Sequence, residues 1–150
     1  MEWRIRKAVK TDESKIKELF IEMLQTIYSK NTVDGYEEGY LDKFFDGHED
    51  WICVAEVNDS IAAYLSIEVH HEQEHYIYLD DLSVSKTYRN YGMGTELIKT
   101  AENFAKEMDI STIVFHVEKS NKSAFRLYER LGYSIMSDEG TRFRMVKRIP

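Results

Sequence analysis

A chain of 150 residues is long enough for one domain with a real core, and 43% hydrophobic with 31% charged residues is the balance of an ordinary globular protein. The net charge of −7 argues against a nucleic-acid surface, which needs clustered cations, and is compatible with cationic substrates. No apolar run approaches a membrane span, and the N-terminus (Met1-Glu2-Trp3-Arg4) does not read as a secretory signal. The lone Cys53 rules out an internal disulfide and suits a reducing cytoplasm.

The elements follow in chain order, without a repeat, low-complexity tract or linker, so a single domain over 1–150 is expected. A short strand covers Trp3 to Ala8. Thr11 or Asp12 can cap a helix that runs to about Tyr28, with Ile16, Leu19, Phe20, Met23 and Ile27 on one face. A second helix is expected over Tyr36 to Phe45, inside an acidic stretch: Asp34, Glu37, Glu38, Asp42, Asp46, Glu49 and Asp50, opposed only by Lys43. That stretch reads either as a solvated face or as an acidic wall beside a site for an amine. Trp51 to Val57, the turn Asn58-Asp59 and Ile61 to Val69 form a hairpin, and Tyr76 to Val84 a third strand of the run. A glycine turn then opens a helix that carries Leu97, Ala101, Phe104, Ala105 and Met108 at helical spacing. Thr112 to Val117 is a β-branched strand, Asn121 to Leu131 a short helix, and Tyr133 to Met136 and Phe143 to Val146 are closing strands. Helices that precede and interrupt a sheet define an α/β (α+β layered) domain.

The most informative stretch is Arg89-Asn90-Tyr91-Gly92-Met93-Gly94-Thr95. A strand that turns through glycines into a helix aims several backbone N–H groups at one point, reinforced by the helix dipole, which is a pyrophosphate cradle. Gly92 and Gly94 allow close approach of backbone to phosphate oxygens. Arg89 suits the pyrophosphate or a cap on the loop. Thr95 either adds a hydroxyl or is a first-turn residue of the helix.

Arg89-x-x-Gly92-x-Gly94 resembles the acetyl-coenzyme A motif of the GNAT superfamily of N-acetyltransferases. Asn121-x-x-Ala124-x-x-x-Tyr128-x-x-x-Gly132-Tyr133 is similar to that family's second motif, and the two are correctly ordered around a strand. Ile77-Tyr78-Leu79-Asp80-Asp81 is similar, over a shorter span, to the corresponding strand of spermidine/spermine acetyltransferases, which carry Glu where this chain has Asp80. The resemblance implies a mixed, twisted sheet of about six to seven strands, flanked by about four helices. It also implies a splay between the strand at 76–84 and the strand at 112–117 that holds the pantetheine arm. The implied cosubstrate is acetyl-CoA, with no metal. Its contacts would be the main chain of Leu82, Ser83 and Val84, the loop residues Arg89, Asn90, Tyr91, Gly92, Met93, Gly94 and Thr95, and Asn121, Ala124 and Tyr128. A homodimer is a family habit.

Acetyl transfer needs a neutral amine, a stabilised oxyanion and a proton for the thiolate, while free alkylamines have pKa near ~10. Strict strand alternation puts Tyr78, Asp80, Leu82 and Val84 on one face and Leu79, Asp81 and Ser83 on the other, so Asp81 should point away from the amine. By the family pattern Asp80 is the candidate base, directly or through water, or else pairs with a cation. Tyr128 is the candidate general acid, or else a core tyrosine, and the resemblance implies the Leu82 N–H as oxyanion donor. Asn121 serves as helix N-cap, cofactor contact or both. Lys122, Arg126 and Arg130 form a basic stripe, a solvated face or a help to the phosphates. Tyr78, Asp80 and Glu68 are candidate acceptor contacts.

His71-Glu72-Gln73-Glu74-His75 matches the H-E-x-x-H pattern of zinc peptidases, but it lies between two strands and reads as a hairpin turn, in which the imidazoles need not converge. His70 and His116 read as ordinary hydrogen-bonded residues. Cys53, inside an apolar strand, reads as buried filler, so direct attack without an acyl-enzyme is expected. The expected function is acetyl transfer to a small cationic amine such as a polyamine or amino sugar. The alternatives are a peptide N-terminus, a protein lysine, or a non-catalytic acyl-CoA-binding module.

Overall fold

The computed structural model describes residues 1–150 as seven strands and three α-helices. The strands are β1 (Arg4–Lys7), β2 (Trp51–Val57), β3 (Ser60–His70), β4 (Tyr76–Val84), β5 (Thr112–Glu118), β6 (Ser134–Asp138) and β7 (Arg142–Arg148). The helices are α1 (Glu13–Tyr28), α2 (Met93–Glu107) and α3 (Lys122–Arg130). One sheet runs in the order β1-β2-β3-β4-β5-β7-β6. Every neighbouring pair is antiparallel except β4 and β5, which are parallel. A parallel pair needs a crossover, and α2 supplies it. No helix is long and apolar enough to cross a membrane.

Helices cover both faces. On one, α2 and α3 bury Met93, Leu97, Ile98, Ala101, Ala105 and Tyr128 against Leu65, Ile67, Ile77, Leu79, Phe115 and Met145. On the other, α1 buries Ile16 and Leu19 with Ile52, Val54 and Tyr64. Asp12 precedes α1, but its carboxylate does not cap it: it takes two bonds from Arg6, at 2.8 and 3.1 Å, and one from the Val9 N–H at 2.8 Å.

The helix expected over 36–45 is absent. The segment is a chain of tight turns with a single 3-10 turn at Asp42–Phe44. Gly39, in the left-handed region at φ +82°, breaks α-helical continuity, and the turns close by i→i+3 bonds such as Tyr40 N–H to Glu37 O at 3.0 Å. Leu41 and Phe44, both buried, pin it to the α1 face. The α-helices therefore number three, and the layered class is as expected.

Two irregularities shape the sheet. The β4–β5 pairing covers only Ile77↔Ile113 to Leu79↔Phe115, although both strands continue. Beyond Leu79 the edges part, which is the expected splay. In the β3–β4 ladder, Leu65 faces Leu82 while Ile67 faces Leu79, so the single residue Ser66 opposes Asp80 and Asp81 together. That is a β-bulge, and it breaks strict alternation. Leu82 and Val84 stay on the α2 face with Ile77 and Leu79, and Ser83 turns to α1, where its hydroxyl donates to the Leu19 carbonyl at 2.9 Å. Tyr78 lies on the α1 side opposite Glu68, and Asp80 and Asp81 both bond to the 36–45 segment on that side. The expectation that Leu82 and Val84 share a face with Tyr78, and that Asp81 points away from Asp80, is corrected by this one extra residue.

Candidate functional site

The parted strands bound two adjoining cavities. The larger, ≈ 520 Å³, runs from the glycine turn along β4 to α3. It is lined by every proposed cofactor residue except Tyr91, a ring 55% exposed outside it: Leu82, Ser83 and Val84 from β4, Arg89, Asn90, Gly92, Met93, Gly94 and Thr95 from the turn, and Asn121, Ala124 and Tyr128 from α3. Gly92 sits at φ +85°, immediately before α2, and a Cβ placed there would meet nothing within 4 Å, so the space in front of the turn is open. Helix geometry leaves the N–H groups of Met93, Gly94 and Thr95 without intrahelical acceptors, beside the positive end of the dipole. The Arg89 guanidinium leans on the Val84 carbonyl at 3.4 Å, bracing the turn. Of the basic stripe, Arg126 and Arg130 line the cavity and Lys122 does not. The edge of β4 beyond Leu79, free of β5, presents main-chain groups into this space. A diphosphate with an extended amide-bearing arm fits these features.

The second cavity, ≈ 210 Å³, lies on the α1 side of the parting. Its wall includes Tyr78, Asp80, Asp81, His116, Asn121 and Tyr128. Asn121 and Tyr128 border both cavities, so they sit where an arm from one would meet a molecule in the other. Asn121 occupies the N-cap position of α3, but its side chain makes no capping bond. Tyr128 is 9% exposed and packs on Phe115, with ring centroids 4.3 Å apart. Burial, with the charge of Asp81 adding, raises its phenol well above the ordinary value, so it stays protonated near neutral pH.

The carboxylates of the bulge are held by tyrosines from the 36–45 segment. Tyr40 donates to Asp80 at 2.5 Å and Tyr36 donates to Asp81 at 2.6 Å. The Tyr36 and Tyr64 hydroxyls are 2.9 Å apart, and Tyr36 stacks between Phe20 and Tyr40. Burial raises both carboxyls. For Asp80, the charge of Glu68 adds and the Tyr40 bond opposes. Asp81 is pushed up to about 7, the charge of Asp80 adding to burial. Glu68, buried on β3, is held by Lys43 at 2.7 Å and His70 at 2.8 Å. Sequence reading proposed Tyr78, Asp80 and Glu68 as neighbours, and the fold brings them to one face. The same reading turned Asp81 away from that face and did not single out Tyr36 or Tyr40.

His116, read from the sequence as an ordinary hydrogen-bonded residue, is hydrogen-bonded and also lines this cavity. Tyr78 Oη and His116 Nδ1 share a 2.5 Å hydrogen bond, and Nε2 lies 3.0 Å from Glu139 Oε1 but out of line for a bond. Burial and the charge of Arg142 lower His116, leaving it neutral at pH 7, while burial and Asp80 push Tyr78 up to about 12. The alternation Ile113, Phe115, Val117 in β5 is the signal that sets His116 on the opposite, site-facing side.

Two other sequence features resolve simply. His71 to His75 form the β3–β4 turn. Their imidazoles do converge, Nδ1 to Nδ1 at 2.6 Å, and the other His71 nitrogen meets Glu49 at 2.5 Å. Two nitrogens each ~2.0–2.1 Å from a tetrahedral zinc would stand roughly 3.3 Å apart, wider than this pair. Cys53 is buried on β2 and its thiol is pushed up to about 12 by burial, far from a reactive thiolate.

A glycine turn at a helix N-terminus, leading along a strand parted from its parallel neighbour to a buried tyrosine and a carboxylate pair, defines an acyl-transfer cleft. Residues 18–133 match the acetyltransferase (GNAT) family, and the chain belongs to it. An uncharacterized N-acetyltransferase of Methanocaldococcus jannaschii is 31% identical over 130 residues, 86% of this chain and 76% of that protein. Human N-alpha-acetyltransferase 30 is 43% identical over 56 residues, 37% of this chain and 16% of that protein. The fold is similar to that of the PaiA N-acetyltransferase of Thermoplasma acidophilum, solved in complex with coenzyme A, with a TM-score of 0.82 over 99% of both chains at 18% identity. The protein is thus an N-acetyltransferase of that family.

Proposed function

We propose that this chain transfers acetyl from acetyl-CoA to the primary amine of a small cationic acceptor, a polyamine or amino sugar, by direct attack. The observation that carries the reading is charge. Glu68, Asp80 and Asp81 gather on the acceptor side of the cleft, and the only lysine facing them, Lys43, is already paired with Glu68. Such a wall attracts an ammonium and repels anions.

In this reading the glycine turn and the first N–H groups of α2 hold the diphosphate, with Arg89 and Thr95 beside it. The main chain of Leu82, Ser83 and Val84 pairs with the pantetheine amides as a strand would, and Asn121 and Ala124 line the arm. The Leu82 N–H polarises the thioester carbonyl. A carboxylate of the bulge takes the proton that the ammonium must lose. Tyr128 protonates the departing sulfur, and its buried phenol holds the proton until then.

A peptide N-terminus is the second reading, favoured by the short match to an N-alpha-acetyltransferase. A thiol-release screen with acetyl-CoA against spermidine, putrescine, glucosamine, lysine and short peptides separates them. Turnover of the polyamines or the amino sugar with peptides inert is the expected result. Turnover of peptides alone overturns the acceptor assignment, and no thiol release above background with any of the amines points to a binding module.

A further inference from the structure

The two aspartates of the bulge do different work, and the assignment that follows deepens the proposed transfer and rests on it. We propose that Asp81 is the catalytic base that deprotonates the acceptor ammonium, and that Asp80 anchors a second positive charge of the same acceptor.

The argument is one of position. Both carboxylates line the cavity that Tyr128 closes. Asp80 belongs to its outer rim: its donor, Tyr40, is 39% exposed, and Lys43 and Glu68 act on it from the side. Asp81 belongs to its inner end. Its donor, Tyr36, is locked between Phe20 and Tyr40 and backed by the buried Tyr64 hydroxyl. Asp81 is also the carboxylate whose charge bears on Tyr128, the residue on the border with the cofactor groove. An amine nitrogen placed to attack a thioester in front of Tyr128 is therefore closer to Asp81 than to Asp80. The rest of a diamine or polyamine extends outward past Asp80 toward Glu68.

The chemistry fits that division. Asp81 has no lysine or arginine partner; the groups that face it are Tyr36 and Tyr40 from the 36–45 segment, Tyr64 and Glu68 from β3, Asp80 from β4 and Tyr128 from α3. His116 from β5 and Arg142 from β7 lie across the cavity, and Lys43 acts on Asp80. A carboxyl held at about 7 exchanges protons near neutral pH, whereas an ordinary aspartate at ~3.9 is a weak base toward an ammonium. In the step itself, R–NH3+ gives one proton to the Asp81 carboxylate. The freed lone pair forms the N–C bond as the C–S bond breaks, and Tyr128 gives its proton to the sulfur. The second proton of the nitrogen returns to the Tyr128 phenolate, and Asp81 releases its own to solvent as the amide leaves. Tyr36 is a positioning residue, since its hydrogen bond favours the ionised form of Asp81.

The test is a set of pH–rate profiles with acetyl-CoA and spermidine for the wild type, Asp81→Asn, Asp80→Asn and Tyr36→Phe, with n-butylamine as the singly charged control. Asp81→Asn is expected to lower kcat/KM at pH 7 about 100-fold or more and to move the ascending limb up toward the pKa of the free amine, ~10, with acetyl-CoA affinity kept. Asp80→Asn is expected to keep the limb and to raise the KM for spermidine but not for n-butylamine. Tyr36→Phe is expected to shift the midpoint of the limb upward, which a merely structural role would not do, and it decides the matter if Asp81→Asn fails to fold. A limb lost in Asp80→Asn and kept in Asp81→Asn, or unmoved in Tyr36→Phe, overturns the base assignment. An equal KM change for both amines in Asp80→Asn overturns the anchor. If peptides turn over and spermidine does not, the anchor falls and the base is read from the peptide profile; no thiol release above background with any amine sinks this inference together with the proposed transfer.

Discussion

Replacing Tyr128 with phenylalanine removes one hydroxyl from a ring already packed against Phe115 and Tyr133, with centroids at 4.3 and 6.5 Å. No protein group hydrogen-bonds that hydroxyl, since only burial and the charge of Asp81 act on it. Losing it leaves no orphaned partner, so folding stability should change by less than about 1 kcal/mol. The ring still borders both cavities, so acetyl-CoA should bind with unchanged affinity. The chemical step should suffer: loss of a positioned general acid typically costs ~10²–10⁴ in rate, or about 3–5 kcal/mol of barrier. Three measurements separate these quantities: thiol release at saturating amine, calorimetric titration with coenzyme A, and a thermal melt. A fall in kcat alone is the expected pattern. If kcat is unchanged, or if affinity and melting temperature fall in step with it, Tyr128 is a packing residue and the proton comes from elsewhere.

Three further outcomes are expected. Gly92→Val forces a β-branched residue to φ +85°, a strain on the order of 1–3 kcal/mol, and projects its side chain into the open space before α2. Coenzyme A affinity should drop at least ~10-fold (about 1.4 kcal/mol) with the circular dichroism spectrum retained, and unchanged affinity would refute the cradle. Lys43→Ala frees Glu68 from its 2.7 Å partner and should lower the KM of a dicationic acceptor several-fold without changing kcat; a raised KM argues that Lys43 touches the substrate. Asp81 also predicts a pH dependence of stability. Its folded value lies above the unfolded ~3.9, so the native state binds more protons between about 4 and 7. Stability therefore falls as pH rises through that window, with the full penalty above it. Asp81→Asn should raise the melting temperature at pH 8, by a contribution on the order of 2–4 kcal/mol, and change it little at pH 4. Equal effects at both pH values would place the gain elsewhere.

Much of the site was legible because its chemistry is local. The turn proposed to hold the diphosphate is a short run of backbone whose glycines announce it, and all but Tyr91 of the residues proposed to hold the cofactor line one cavity. The acceptor side was legible only in part. Glu68, Tyr78 and Asp80 follow from strand reading, but Tyr36 and Tyr40 reach their carboxylates across 45 and 40 positions of sequence. The segment that carries them looked helical by composition, and Gly39 turned it aside. A signal for the bulge was present and went unread: the apolar residues Ile77, Leu79, Leu82 and Val84 are spaced two, three and two apart, and a strand that keeps them on one face must absorb one extra residue.

From the sequence alone came the order of the strands and of the three α-helices and the glycine turn, because periodicity and turn chemistry act over a few residues and need no partner, and the family, through the resemblance of two short motifs. Only the folded chain decided which way Asp81 faces, how far β4 and β5 stay together, and which phenols hold the carboxylates. Each depends on register between segments distant in the chain. Leu65 opposite Leu82 and Ile67 opposite Leu79 put both aspartates in the cleft, and a slip of one residue in that ladder would have put the apolar side chains there instead.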